Sequence, residues 1–517
     1  MNRSRWRQGL PWLLAGVVLA FRLVPGPRTI DDAFITFRYA RNLLAGWGLV
    51  YNPGQHVLGT TTPLYALWMA LLGAFNGGVQ APFPWLAWGT NALADAATAL
   101  LVMRLARRLR VPEVGYVFAL AWAVAPWSVT FAIGGMETSV YVFLLTATIY
   151  AYAMERRGWA FFAGALAFLT RPDALLLVLL VLADDLWRGW RQARREGGSP
   201  WPIWRRWGRA WVPGGLLAGG WLIFARLYYG AWLPHSMTAK QVVYRQPTDA
   251  ALVRLLQHYA TPFLLQTWLS PAFIAVGLVL WPTLFVVGAH GLVRREARLW
   301  PWLAFPVVYF AAFALANPLI FRWYLTPPLP PYFFGILTGV WVLGKALRRP
   351  RVRLAFLGVA FLVPLVVPLS TWQWHPDHGR PTPAPGMAWY RLELLYHRAA
   401  RFLAPRLQPD PLAFTLAAGD VGVLGYDTGA RILDLAGLNS PETLAYFPLP
   451  PSDYVINYAV PAGLIRDRKP DYIVILEIYG RKSLLTQPWF WQQYDLLADF
   501  PTDIYGSRGL LIFGRRR

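Results

Sequence analysis

The 517-residue chain has no cysteine, which excludes disulfides, cysteine-ligated zinc and thiol nucleophiles. Acidic residues are scarce, 26 against 49 Lys and Arg, and the seven histidines do not cluster. His235, His258, His375 and His378 form no helical i, i+4 pair, so spacing argues for no metal site. No glycine-rich loop opens a helix after a strand, which disfavours a soluble nucleotide-sugar enzyme. What is abundant is apolar surface. Hydrophobic residues make up 56% of the chain, more than one soluble core disposes of, and 28 Trp and 24 Tyr are enough to furnish interfacial belts.

A net charge of +23 would point a soluble protein toward nucleic acid, but its distribution points elsewhere. Residues 371–517 are nearly neutral, with 15 Lys and Arg against 14 Asp and Glu. In the apolar half, 24 basic residues fall in the N-terminus and five short loops: Arg104 to Arg110, Arg156–Arg157, Arg188 to Arg209, Arg294 to Arg298 and Lys345 to Arg353. That is the bias of cytoplasmic loops, not a nucleic-acid patch.

Placing those loops inside predicts about eleven transmembrane helices: 10–24, 83–103, 114–133, 138–154, 159–170, 173–187, 211–228, 271–290, 300–317, 325–343 and 354–370. The N-terminus is then cytoplasmic and the C-terminal domain outside. Leu10 to Val24 reads as a retained helix, because no small-residue cleavage site follows it. The only Asn-x-Ser/Thr sequon, at Asn2, falls on the basic side, which points to a bacterial plasma (inner) membrane. Pro63 to Phe75 is too short to cross and reads as an interfacial helix in the first outer loop, after an amphipathic helix from Ala33 to Leu44. A second outer loop spans 229–270. The expected fold class is an all-α polytopic membrane domain (1–370), a Pro-rich linker (371–386) and a C-terminal α/β soluble extracytoplasmic domain (387–517). Strand-like runs AFTLAA, RILDLAG, DYIVILEI and GLLIFG mark that last domain, with a helix from Met387 to Leu403.

Few acids reach the outer face: Asp31, Asp32, Glu137, Asp173 and Asp249, with Asp95 inside a helix. Asp31 and Asp32 stand where helix amides and dipole favour ionised carboxylates, and both a helix cap and a catalytic pair are open readings. Glu137, in GGMETS, is either a helix-start carboxylate or a site residue approached across two glycines. Arg171, at a turn between two short spans, needs an anionic partner, either Asp173 or a ligand. Lys240 in LPHSMTAK and Arg322 in FRWYLTPP fit anion binding or snorkelling anchors equally.

The ordered stretches DDAFITFRYARNLLAGWGLVYNPGQHVLGTTTPLYALWMALL, GMETSVYVFLL, FLTRPDALLL, YYGAWLPHSMTAK, FRWYLTPPLP and GDVGVLGYDTGARILDLAGLNSPE resemble the C-superfamily (GT-C) glycosyltransferases of membranes, in particular the bacterial and mycobacterial terminal β-arabinofuranosyltransferase-like family. The resemblance implies inverting transfer of a sugar (arabinofuranose, mannose or similar) from a polyprenyl-phosphate donor to an extracytoplasmic glycan or lipid acceptor. It also implies an essential carboxylate in the first outer loop, matched by Asp31 and Asp32. His235 stands where relatives tend to have Asn.

The residue inventory suits that chemistry, since a phosphate leaving group needs no proton and one base plus cations suffices. Asp31 is the first candidate base, with Asp32 close behind. Glu137 is a candidate for positioning the acceptor or a divalent ion, and Arg171, Lys240, Arg322 and His235 are the other donor- or acceptor-binding candidates. No cofactor is called for with certainty; a divalent cation is left open, with Asp31, Asp32 and Glu137 as its candidate ligands. Asp420, Asp427 and Asp434 read as turn and strand-end residues, with acceptor binding as the alternative. The expected partners are donor lipid, acceptor and bilayer, without nucleic acid. The competing function, a non-catalytic lipid-sugar flippase or transporter, predicts ionisable residues near the bilayer midplane, where only Asp95 lies.

Overall fold

The computed structural model describes residues 3–263, 271–386 and 389–516. The Asn2 sequon, positions 264–270 of the second outer loop and the start of the helix expected from Met387 lie outside the described residues. The chain divides into two compact units: Met1–Pro27, Trp88–Trp221 and Thr248–Gly386 form one, and Arg28–Ala87, Leu222–Pro247 and Met387–Arg517 the other.

All eleven segments expected as crossings are helical: Arg3–Leu23, Phe83–Arg108, Pro112–Val124 with Pro126–Ile133, Thr138–Ala153, Arg157–Thr170, Leu175–Arg195, Trp201–Tyr229, Pro271–Arg295, Trp300–Ala316, Leu329–Ala346 and Pro350–Leu369. Among the described residues, five helices are long and apolar enough to cross a membrane, or six if the bent pair Pro112–Val124 and Pro126–Ile133 is one span. The chain is a multi-pass membrane protein. Prolines set several starts, because Pro112, Pro126 and Pro350 occupy first-turn positions that have no amide to satisfy. Pro126 also holds Ala125 extended (ψ 115°), and the two helices bend there by 54°. The helices expected at 173–187 and 211–228 are longer, running on to Arg195 and starting at Trp201, because the arginines between them are good helix formers.

Glycines bring two helices of the first unit together. A Cβ on Gly339 would strike the Leu284 carbonyl and one on Gly288 the Gly335 carbonyl, so Pro271–Arg295 and Leu329–Ala346 pack backbone to backbone. Asp95 is buried against Arg22, whose Nε lies 2.9 Å from its Oδ2, while the Arg22 guanidinium also donates to the Ala123 and Trp122 carbonyls and to Ser128 Oγ at 2.7–2.8 Å. The one intramembrane acid is thus ion-paired. Within the stretch expected as a linker, β1 (Trp372–Gln373) pairs antiparallel with β2 (Ala384–Pro385).

The second unit carries a five-stranded sheet in the order β4-β3-β5-β7-β6, made of β3 (Thr415–Ala418), β4 (Arg431–Asp434), β5 (Tyr472–Leu476), β6 (Tyr494–Pro501) and β7 (Gly509–Arg515). β3 runs parallel to β4 and β5, and β7 antiparallel to β5 and β6. Four strands fall on the four expected runs. The fifth, β6, was not expected: a register shift between Leu496 and Ala498 breaks its two-residue period, and Leu496 and Leu497 are exposed. Ile473, Ile475, Leu464, Phe490 and Phe513 fill the core against the sheet. The first-loop helices Asp31–Leu44 and Pro63–Ala74 belong to this unit, as does His235–Val243.

Candidate functional site

The helix Asp31–Leu44 starts at Asp31, yet no side chain caps it; its N-cap residue is Ile30. The Asp31 carboxylate instead accepts the amides of Gly422 (2.9 Å) and Val423 (2.7 Å), capping the short helix Gly422–Thr428 of the C-terminal domain. Glycine is required at 422, because any Cβ would run into the Asp31 backbone carbonyl. Gly425, one turn on, leaves room for the Tyr51 hydroxyl and Arg38. Arg38, fully buried, donates Nε to the Tyr51 carbonyl (2.8 Å), Nη1 to the Gly425 carbonyl and Nη2 to the Ala430 carbonyl (2.7 Å). Asn52 receives the Ile432 amide (3.0 Å) and donates to its carbonyl (2.8 Å), closing the open edge of β4 with a side-chain amide. Sequence reasoning missed Arg38, Tyr51 and Asn52. Their one signal is a lone arginine on the apolar face of an amphipathic helix.

Four carboxylates share this corner. The Asp31 amide donates to Glu393 Oε1 (3.2 Å), and Asp420 and Asp32 act on Asp31 electrostatically. Burial, then the Asp420 charge, raises the Asp31 carboxyl well above the usual range, although the two amides oppose the shift. Burial likewise raises Glu393 and pushes Asp420 up to about 6. Asp32 is half-buried; burial raises its carboxyl and the charge of Lys240 opposes that. Lys240 projects from the helix His235–Val243, whose first amide donates to the Leu58 carbonyl (2.8 Å). The His235 imidazole is held below its ordinary value by burial, against the Glu442 charge. The structure therefore brings Asp31, Asp32 and Lys240 together.

Glu137, Arg171 and Arg322 belong to the first unit. Glu137 begins a helix without capping it, and its Oε1 accepts from Arg171 Nη1 at 3.1 Å. Arg171 also pairs with Asp173 (Nε to Oδ1, 3.0 Å) and lies over the rings of Tyr324 (4.7 Å) and Tyr141 (5.4 Å). Its guanidinium is thus held by two carboxylates and two aromatic faces, which is the arrangement of the structural alternative extended by Glu137. Arg322 acts on Arg254, a residue sequence reasoning did not single out, whose guanidinium falls to about 10 through burial and that like charge. Among the described residues, no group of three or more His, Asp or Glu is placed to hold a metal ion. Each Asp31 oxygen already accepts one backbone amide.

The solved structure of ArnT from Cupriavidus metallidurans bound to undecaprenyl phosphate aligns over 99% of this chain and 98% of that one, with a TM-score of 0.55 at 15% identity. The Archaeoglobus fulgidus oligosaccharyltransferase in complex with Zn and sulfate aligns over 98% and 72%, with a TM-score of 0.54 at 10% identity. This chain shares its fold with both of these solved structures. A curated relative, the terminal beta-(1->2)-arabinofuranosyltransferase of Mycobacterium tuberculosis, is 27% identical over 234 residues, 41% of this chain and 34% of that protein. The match thus spans about a third of that relative's length. Residues 387–513 match a family described as Domain of unknown function (DUF8728). The GT-C resemblance read from the motifs holds at the level of fold, and the relatives it points to are glycosyltransferases.

Proposed function

We propose that the protein is an inverting membrane glycosyltransferase that moves a sugar from a polyprenyl-phosphate donor to an extracytoplasmic glycan or lipid acceptor. The observation that carries this reading is the pair Asp31–Asp32. Asp31 is fixed by two backbone amides, which leaves its neighbour Asp32 half-buried and opposite a lysine in a GT-C fold. In this assignment Asp32 is the base and Asp31 its anchor, the reverse of the order expected from sequence. An acceptor hydroxyl attacks the anomeric carbon as the bond from that carbon to the phosphate oxygen breaks; the hydroxyl proton passes to Asp32, and the departing phosphate keeps the electron pair. Lys240 meets the charge that develops on the phosphate. In the first unit, Arg171 is assigned to holding Glu137.

We further propose eleven crossings in a bacterial inner membrane, with a cytoplasmic N-terminus and an outer active site, on the strength of the loop charges and the eleven helical segments. Mass spectrometry of the lipid that copurifies identifies the donor. With that lipid, the wild type should transfer sugar and Asp31→Asn/Asp32→Asn should not; equal rates would end the enzymatic reading.

A further inference from the structure

Asp427 and Asp434 are accounted for locally: Asp427 pairs with His397 at 2.5 Å, and Asp434 accepts the amides of Ala436 (2.9 Å) and Asn439 (2.8 Å) in the turn after β4. Asp420 is not. It follows β3, is half-buried and faces other carboxylates rather than a cation, with Asp31, Asp32 and Glu393 all acting on it or feeling its charge. The Tyr396 hydroxyl donates to one of its oxygens.

Around it lie two deeply buried polar atoms with no hydrogen-bond partner among the described residues, Glu393 Oε2 and the Tyr458 hydroxyl; the two residues are 2% and 4% exposed. Tyr458 stands edge-on to Tyr479, with ring centroids 4.9 Å apart. It borders the residue before Asp420, since a Cβ on Gly419 would come within 3.4 Å of its hydroxyl. A buried group left unsatisfied costs about 1–3 kcal/mol and grouped acids repel one another, so a hydrogen-bonding ligand bound here would relieve both.

We propose, building on the glycosyltransferase reading, that the C-terminal domain supplies the acceptor-sugar subsite, with Asp420 accepting a sugar hydroxyl and Tyr458 and Glu393 completing it. The chemistry selects a neutral polyol. Its hydroxyls donate to carboxylates and both donate to and accept from a phenol. A bare divalent cation would leave the tyrosine hydroxyl unanswered. The arrangement also puts the acceptor beside Asp32, because Asp420 feels the Asp32 charge directly.

The test uses the full chain in nanodiscs and saturation-transfer NMR with methyl α-arabinofuranoside, methyl β-galactofuranoside and methyl α-mannopyranoside, with undecaprenyl phosphate binding measured in parallel. At least one glycoside should bind the wild type. Asp420→Asn, which can still accept the Tyr396 bond, and Tyr458→Phe, which removes only an oxygen, should each weaken that binding about tenfold or more with lipid-phosphate affinity unchanged. Glycoside binding that survives both substitutions, or is displaced by Ca²⁺ alone, overturns the subsite. A wild type that binds undecaprenyl phosphate but no glycoside also overturns it and leaves the proposed function standing; one that binds neither removes that function as well.

Discussion

Two acid groupings, one in each unit, look alike in sequence and differ in what neutralises them. Glu137 and Asp173 meet one arginine that bonds to both, in a setting sealed by tyrosines. Asp31, Asp32, Asp420 and Glu393 meet one another, with two backbone amides and a lysine as counterweight. A buried paired acid depends on its arginine, since removing that partner strands a charge. Burial and crowding raise a carboxyl's affinity for a proton, which is why the proposed base is assigned to the crowded corner.

The sharpest way to break this comparison is to remove the proposed base. Asp32→Asn should leave expression normal and slow transfer from the copurifying lipid by about 10²–10⁴-fold, the range for loss of a general base. A smaller effect there than at Glu137→Gln would reverse the assignment of the two groupings. Next in size, Arg171→Leu strands two buried carboxylates, and thermal unfolding in detergent should show a loss of about 3–5 kcal/mol. Arg171→Lys, which loses the fork geometry, should retain part of that stability and most of the transfer rate if the arginine is structural. A selective loss of donor affinity would return it to the lipid phosphate. The smallest change is expected at Asp31→Ala, which uncaps Gly422–Thr428 at a cost of about 0.5–2 kcal/mol. Protease should then cut the first loop faster in the variant than in the wild type, and an unchanged digestion pattern would argue that Asp31 is no anchor.

Most of the helices were legible because bilayer length and arginine placement are one-dimensional signals, as are the short continuous apolar runs of β3, β4, β5 and β7. β6 was not, since acids interrupt its apolar residues, most of it is exposed and its register is irregular. The first-loop acids stood out by scarcity alone: with 12 Asp and Glu in the first 370 residues, Asp31 and Asp32 had to be candidates. Their division of labour could not be read in the same way. Both precede a helix, and from spacing either could cap it, yet Asp31 caps a different helix about 390 positions away, and that contact exists only once Gly422 lets two backbones meet. Arg171 needed a partner by sequence, and Asp173 was foreseeable two residues on, whereas Glu137, 34 positions earlier, was not. The sequence by itself therefore determined which segments are apolar and helical and how few acids lie among them, because those depend on composition along the chain. Only the tertiary structure decided which acid is anchored, which is paired and which is crowded, because a carboxylate's state is set by its neighbours within a few ångströms, and these come from stretches hundreds of residues apart.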